Sequence, residues 1–100
     1  MDVQVQSIRF VADQKLISFI KQKLSKLNLF FDQIVDAEVY LKIDRANTNE
    51  NKIVEIKLNI PGKDLFAKKH SKSFEEATDE SIEALRRQLK RHKGKLFTKS

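Results

Sequence analysis

Between Ala37 and Ile60 the chain alternates apolar and polar residues twice, with a polar break between the two runs. Ala37, Val39, Leu41 and Ile43 are interleaved with Glu38, Tyr40, Lys42 and Asp44. Val54, Ile56, Leu58 and Ile60 are interleaved with Glu55, Lys57 and Asn59. A helix cannot gather either set on one face, because its side chains recur about every 3.6 residues and those of a strand every second residue. Each run is therefore a half-buried strand. The turn residues Asn47-Thr48-Asn49-Glu50-Asn51 between them make an antiparallel hairpin.

The rest of the chain supplies partners for the hairpin's apolar face. Val3 and Val5 mark a first strand, about Asp2–Arg9, whose two faces the pattern leaves open. Asp13 is placed to cap a helix. Leu16, Ile20, Leu24, Leu27 and Phe31 then recur at spacings of 4, 4, 3 and 4, one face of that helix. Lys26 lies on a flank of it, and Lys23 at the edge of its apolar stripe. Pro61-Gly62 ends the second hairpin strand. A fourth strand is expected from Leu65 to about Lys69, with Leu65 and Ala67 competing with Phe66 for the core face. Ser73-Phe74-Glu75-Glu76 has the form of a capping box. A second helix follows, carrying Phe74, Thr78, Ile82, Leu85, Leu89 and Leu96 on one stripe and running to about Gly94 or Lys95. Residues 97–100 are expected to fray.

The order β-α-β-β-β-α predicts an α+β fold. Both helices would cover one face of a four-stranded, mainly antiparallel sheet and leave the other to water. One domain over residues 1–100 is the natural reading, since a chain of this size buries roughly 60–70% of its unfolded surface in one core.

Several function classes drop out. The chain has no cysteine, which removes disulfides and thiolate metal sites. Its two histidines and lack of a metal-spaced acidic cluster argue against any metal. With only Gly62 and Gly94 there is no glycine-rich phosphate loop. Nothing singles out a nucleophile or an acid–base pair, so no catalytic residue, enzyme activity or cofactor is expected. The N-terminus lacks the apolar core of a secretory signal, and no apolar run approaches the ~20 residues of a membrane span. The reading is a cytoplasmic protein.

What remains is charge. The chain carries 20 Lys+Arg against 14 Asp+Glu, a net +6. Residues 84–100 hold Arg86, Arg87, Lys90, Arg91, Lys93, Lys95 and Lys99 with no acid, so that segment is +7 and the other residues sum to −1. At about 100° per residue, Arg87, Lys90, Arg91 and Lys95 fall opposite Leu85, Leu89 and Leu96, with Gly94 among them. Such a stripe suits phosphate oxygens. The bland alternative is a solvated face whose cations serve the helix dipole. The dipole needs one or two cations in the last turn, and this helix has many more. Lys68, Lys69, His70 and Lys72 form a second basic cluster, weighed evenly against an ordinary lysine-rich segment. His92 reads as a packed histidine on the apolar stripe. Tyr40 is the best exposed aromatic for stacking on a base, yet no strand carries the aromatic pair of an RNA-recognition sheet. RNA contact is expected to run through charge and shape.

Two stretches resemble a known family. KLSKLNLFFDQI, from Lys23 to Ile34, with AEVYL after it, and SFEEATDESIEALRRQLKRHKGKL, from Ser73 to Leu96, are similar to the bacterial ribosome hibernation factors. These are also described as ribosome-associated translation inhibitors or sigma-54 modulation proteins. The resemblance spans nearly all 100 residues. It implies side-by-side helices and no chemistry. It also implies binding in the small ribosomal subunit's channel for messenger and transfer RNA, during slow growth or stress. Matched position by position, it implies rRNA contacts at Lys23, Lys26, Arg87, Arg91, Lys93 and Lys95. Ala84 stands where the family often has lysine. Arg86 and Lys90 are basic where relatives often are not, and Lys90 joins the expected rRNA-binding set. The chain looks like the family's short form, which in some relatives works with a separate ribosome modulation factor. A monomer off the ribosome is expected. Two other readings compete: a general double-stranded-RNA module, and a protein-interaction module modulating transcription. Against the first, the start of the last helix is acidic, at Glu75, Glu76, Asp79 and Glu80, where a duplex-RNA domain typically places lysines.

Overall fold

The computed structural model describes residues 1–46 and 49–98, with side chains to Gly94. The elements are β1 (Asp2–Ser7), α1 (Gln14–Phe30), β2 (Asp36–Ile43), β3 (Lys52–Ile60), β4 (Lys63–Ser71) and α2 (Phe74–Thr98). The strands form one sheet in the order β1-β2-β3-β4. β1 runs parallel to β2, and the other pairs are antiparallel. This is the β-α-β-β-β-α fold that the alternation and the helical stripes predict.

Pairing across the hairpin sets Ala37 against Leu58, Val39 against Ile56 and Leu41 against Val54. All six are fully buried. Leu16, Ile20, Leu24 and Leu27 of α1 and Leu85 and Leu89 of α2 complete the same core. Asp13 caps α1 as expected, its Oδ1 accepting from the Leu16 N–H at 2.8 Å. At the other end the Phe31 N–H donates to Leu27 O, and Phe31 leaves the helix in an extended conformation.

Three boundaries differ from the sequence reading. β1 stops at Ser7 rather than Arg9, because Arg9 adopts φ +64° and turns the chain away from the sheet. β4 is longer than expected, and its register is settled by burial: Leu65 and Ala67 face the core while Phe66 is 52% exposed. Ile60 pairs with Lys63, so Pro61-Gly62 is a two-residue turn. Proline holds the first turn position at negative φ, and Gly62 supplies φ +89° at the second, as a type II turn requires. α2 runs past Lys95 to Thr98, and the expectations for Leu96, for the frayed tail and for Asn47-Thr48 fall wholly or partly outside the described residues.

The capping box is half made. The Glu76 N–H donates to Ser73 Oγ at 3.0 Å, but the Glu76 carboxylate turns to the buried Ser71, accepting from its Oγ at 3.0 Å. That bond ties the end of β4 to the first turn of α2. Further along, Gln88 Nε2 donates to Phe66 O at 3.0 Å and so satisfies part of the free edge of β4.

Candidate nucleic-acid interface

The two helices run side by side in the same direction. Lys23 of α1 meets Asp79 of α2 at 3.2 Å. About two turns further along α1, Phe30 meets Arg86 and Lys93, which lie about two and four turns beyond Asp79 on α2. Parallel helices put both negative dipole ends at one end of the molecule. The basic half of α2 lies at that end, so its cations offset the field of both helices, α1 having no basic residue in its own last turn.

Seven residues were expected to contact RNA, and the structure divides them by what they already touch. Lys93 closes α1: its Nζ donates to Phe30 O at 3.1 Å and sits 4.4 Å from the centre of the Phe30 ring. Phe30 O is one of the C-terminal carbonyls that an α-helix leaves without a partner. Arg86 covers the same ring, its Cζ 4.4 Å from the centre. Lys23 bridges to Asp79 and lies 5.3 Å from the Phe19 ring centre. Lys23 and Lys93 are thus half-buried and hold the helices together. Arg87 is exposed, with only a loose 4.0 Å approach to Glu83. Lys26, Lys90 and Arg91 are exposed and meet no partner among the described residues. The side chain of Lys95 lies outside the described residues.

Helical spacing joins these groups into one surface. Lys26 lies three residues after Lys23 and four before Phe30, on the flank of α1 that faces α2. Lys90 lies likewise between Arg86 and Lys93. The furrow between the helices is therefore walled by Lys26 on one side and by Arg86, Lys90 and Lys93 on the other. Arg87 and Arg91 carry the charge over the top of α2 and down its outer flank. No acid interrupts α2 after Glu83. Guanidinium forks and ammonium heads in such an arc match phosphate oxygens by charge and geometry.

The other candidates do not join this surface. The strand period divides the Lys68–Lys72 cluster: Lys68 and His70 point to the open sheet face, while Lys69 is half-buried on the other. Tyr40 is half-buried on the open face, and its O–H donates to Glu38 Oε1 at 2.8 Å. That bond, with the charges of Glu38 and Glu55, raises the phenol above its ordinary value of 10.0. A ring held among carboxylates is a poor platform for nucleic acid. His92 packs edge-on against Phe31, ring centres 5.7 Å apart, as a half-buried core residue. Among the described residues no three His, Asp or Glu side chains gather to hold a metal, and no helix is long and apolar enough to cross a membrane.

The profile of the family described as sigma 54 modulation protein / S30EA ribosomal protein matches residues 3–96. The chain belongs to this family. A relative in Pseudomonas putida, named ribosome hibernation promoting factor, is 30% identical over 95 residues, covering 95% of this chain and 89% of its own. A ribosome hibernation promotion factor of Deinococcus radiodurans is 37% identical over 76 residues. Those residues are 75% of this chain and only 40% of that protein's length. Among solved structures, a ribosomal subunit interface protein from Coxiella burnetii superposes with a TM-score of 0.85 at 21% identity, covering 94% of this chain and 99% of its own. The N-terminal domain of Thermus thermophilus Protein Y gives 0.78 at 19% identity, covering 92% and 99%. Both solved structures thus share the fold described above.

Proposed function

We propose that this chain is a ribosome-binding translation inhibitor, a cytoplasmic hibernation factor that occupies the small-subunit channel for messenger and transfer RNA. It holds rRNA through the two-helix surface and does no chemistry. The observation that carries the reading is the arc from Lys26 of α1 across Lys90 to Arg91 in the acid-free half of α2: exposed cations that meet no partner among the described residues. Membership of the family supports it, as do the names that its relatives bear. In this reading Lys26, Arg87, Lys90 and Arg91 touch phosphates directly. Lys23 and Lys93 set the spacing of the furrow and lend their charge to it. Off the ribosome the protein is a monomer.

The test is sedimentation with purified bacterial ribosomes through a sucrose gradient at low and moderate salt. The wild type runs beside a Lys26→Glu, Lys90→Glu, Arg91→Glu variant. None of the three positions is buried, so circular dichroism should match the wild type. The wild type is expected to co-migrate with small subunits or whole ribosomes and the variant to stay at the top. Equal behaviour of the two proteins would overturn the reading. Binding to a bare RNA duplex with the same affinity would favour a general duplex-RNA module instead; the exposed Glu75 and Glu76 at the start of α2 speak against it.

A further inference from the structure

A second concentration of unpaired positive charge lies at the other end of the sheet. Where β1 and β2 finish, Ile8, Arg9, Lys42, Ile43, Asp44 and Arg45 line a cleft of about 480 Å³. Two of its charges are already committed. Lys42 Nζ lies 2.7 Å from Glu55 Oε2, and Asp44 Oδ1 accepts from the Ala46 N–H at 3.0 Å, which fixes the start of the turn. Arg9 and Arg45 are exposed, and neither guanidinium meets a partner among the described residues.

The backbone at Arg9 is the second observation. Its φ of +64° is the one positive φ at a non-glycine residue among those described. Glycine, asparagine and aspartate take this conformation readily, and a long side chain does so at a cost. Neighbouring contacts impose it. On one side the Ile8 N–H donates to Leu41 O at 2.9 Å. On the other the Phe10 ring stacks on Phe74, centres 5.2 Å apart and planes within 12°. The turn is clamped at both ends with the arginine on the rim of the cleft. Strain of this kind gathers at functional sites.

We propose that this cleft is a phosphate site, in which Arg9 and Arg45 grip one backbone phosphate of RNA while Ile8 and Ile43 lie against the adjoining nucleotide. Two arginine forks suit a phosphodiester because each offers paired N–H donors in a fixed plane. The inference rests on the rRNA-binding reading and adds a contact that neither helix supplies. Phe10 places the cleft beside Phe74, at the start of α2, whereas Arg91 stands 17 residues later, about 25 Å along the helix. Contacts so far apart fix the orientation of the molecule on RNA as well as its affinity.

The test uses an Arg9→Asn, Arg45→Gln variant of the full chain. Asparagine suits the left-handed turn, so thermal unfolding should show no loss of stability. Ribosome binding is titrated at several salt concentrations, and chemical shifts at Ile8 and Ile43 are followed on adding adenosine monophosphate. The variant is expected to bind ribosomes on the order of 10-fold more weakly, with a slope of log affinity against log salt shallower by about 0.8, the loss of one phosphate contact. Unchanged ribosome binding, with monophosphate shifts present in the wild type and absent in the variant, would assign the cleft to a free nucleotide's phosphate. Unchanged binding and no response to the monophosphate would overturn the site. A wild type that fails to bind ribosomes would sink the rRNA reading, and the monophosphate arm alone would then decide the cleft.

Discussion

Gly94 lies among the cations of α2, and a Cβ built there meets nothing within 4 Å. No steric contact among the described residues therefore requires glycine at this place, although glycine in a helix costs about 1 kcal/mol relative to alanine. Gly94→Ala is expected to raise stability by about 0.5–1 kcal/mol, a few degrees in Tm for a domain of this size. If an RNA backbone lies against the helix there, the more stable variant will bind ribosomes less tightly. Equal binding would mean that α2 meets RNA only through the tips of its long side chains. Tyr40 is the chain's one tyrosine, so ultraviolet absorbance follows its ionisation alone. Its hydrogen bond to Glu38 holds the phenol above 10.0. The bond's contribution to stability is full below that ordinary value and is lost as pH rises through the raised one. In Glu38→Gln the titration should move down toward the ordinary value; no movement would remove Glu38 as the cause.

Among the elements, the hairpin was legible because strict alternation puts one set of side chains on one face of each strand, and both helices because their apolar stripes and caps agree. β4 was legible as a strand but its register was not, since Leu65, Phe66 and Ala67 are consecutive apolar residues and period two cannot choose between them. The register comes from β3, whose Leu58 and Ile56 face Leu65 and Ala67. The interface was legible as a charge block, but the division of labour within it was not. Lys93 finds Phe30 across 63 residues, a contact that no local spacing reveals. Arg9 and Arg45 escaped notice for a similar reason, because only the parallel pairing of β1 with β2 brings two isolated arginines to one cleft. The Lys93 contact is testable in the helix pair. Lys93→Met keeps the stem and loses the cation over Phe30 and its carbonyl. It should cost about 1–2 kcal/mol in denaturant unfolding. Lys90→Met and Arg91→Met should stay within about 0.5 kcal/mol of the wild type. If all three cost the same, Lys93 does not brace the helices.

At the scale of the molecule, charge is sorted by face. The open side of the sheet carries Asp2, Asp36, Glu38, Glu55 and Asp64 against Lys42, Lys57 and Lys68, an excess of carboxylates over lysines. Two of those lysines are spent locally, Lys42 on Glu55 and Lys57 on Asp64 at 3.6 Å. The helix side carries the positive excess. A polyanion approaching this molecule is drawn to the helices and turned away from the sheet, over distances set by a Debye length of about 8 Å at physiological salt. The sheet face should therefore look outward from the rRNA and tolerate change. Lys57→Gln with Lys68→Gln removes as many cations as Lys90→Gln with Arg91→Gln, so the two double variants have the same net charge. Ribosome titration is expected to leave the sheet-face variant within about twofold of the wild type. The helix variant should lose on the order of tenfold and show a shallower salt slope. Equal losses would mean that net charge alone drives association, and that neither face has a defined orientation on the ribosome.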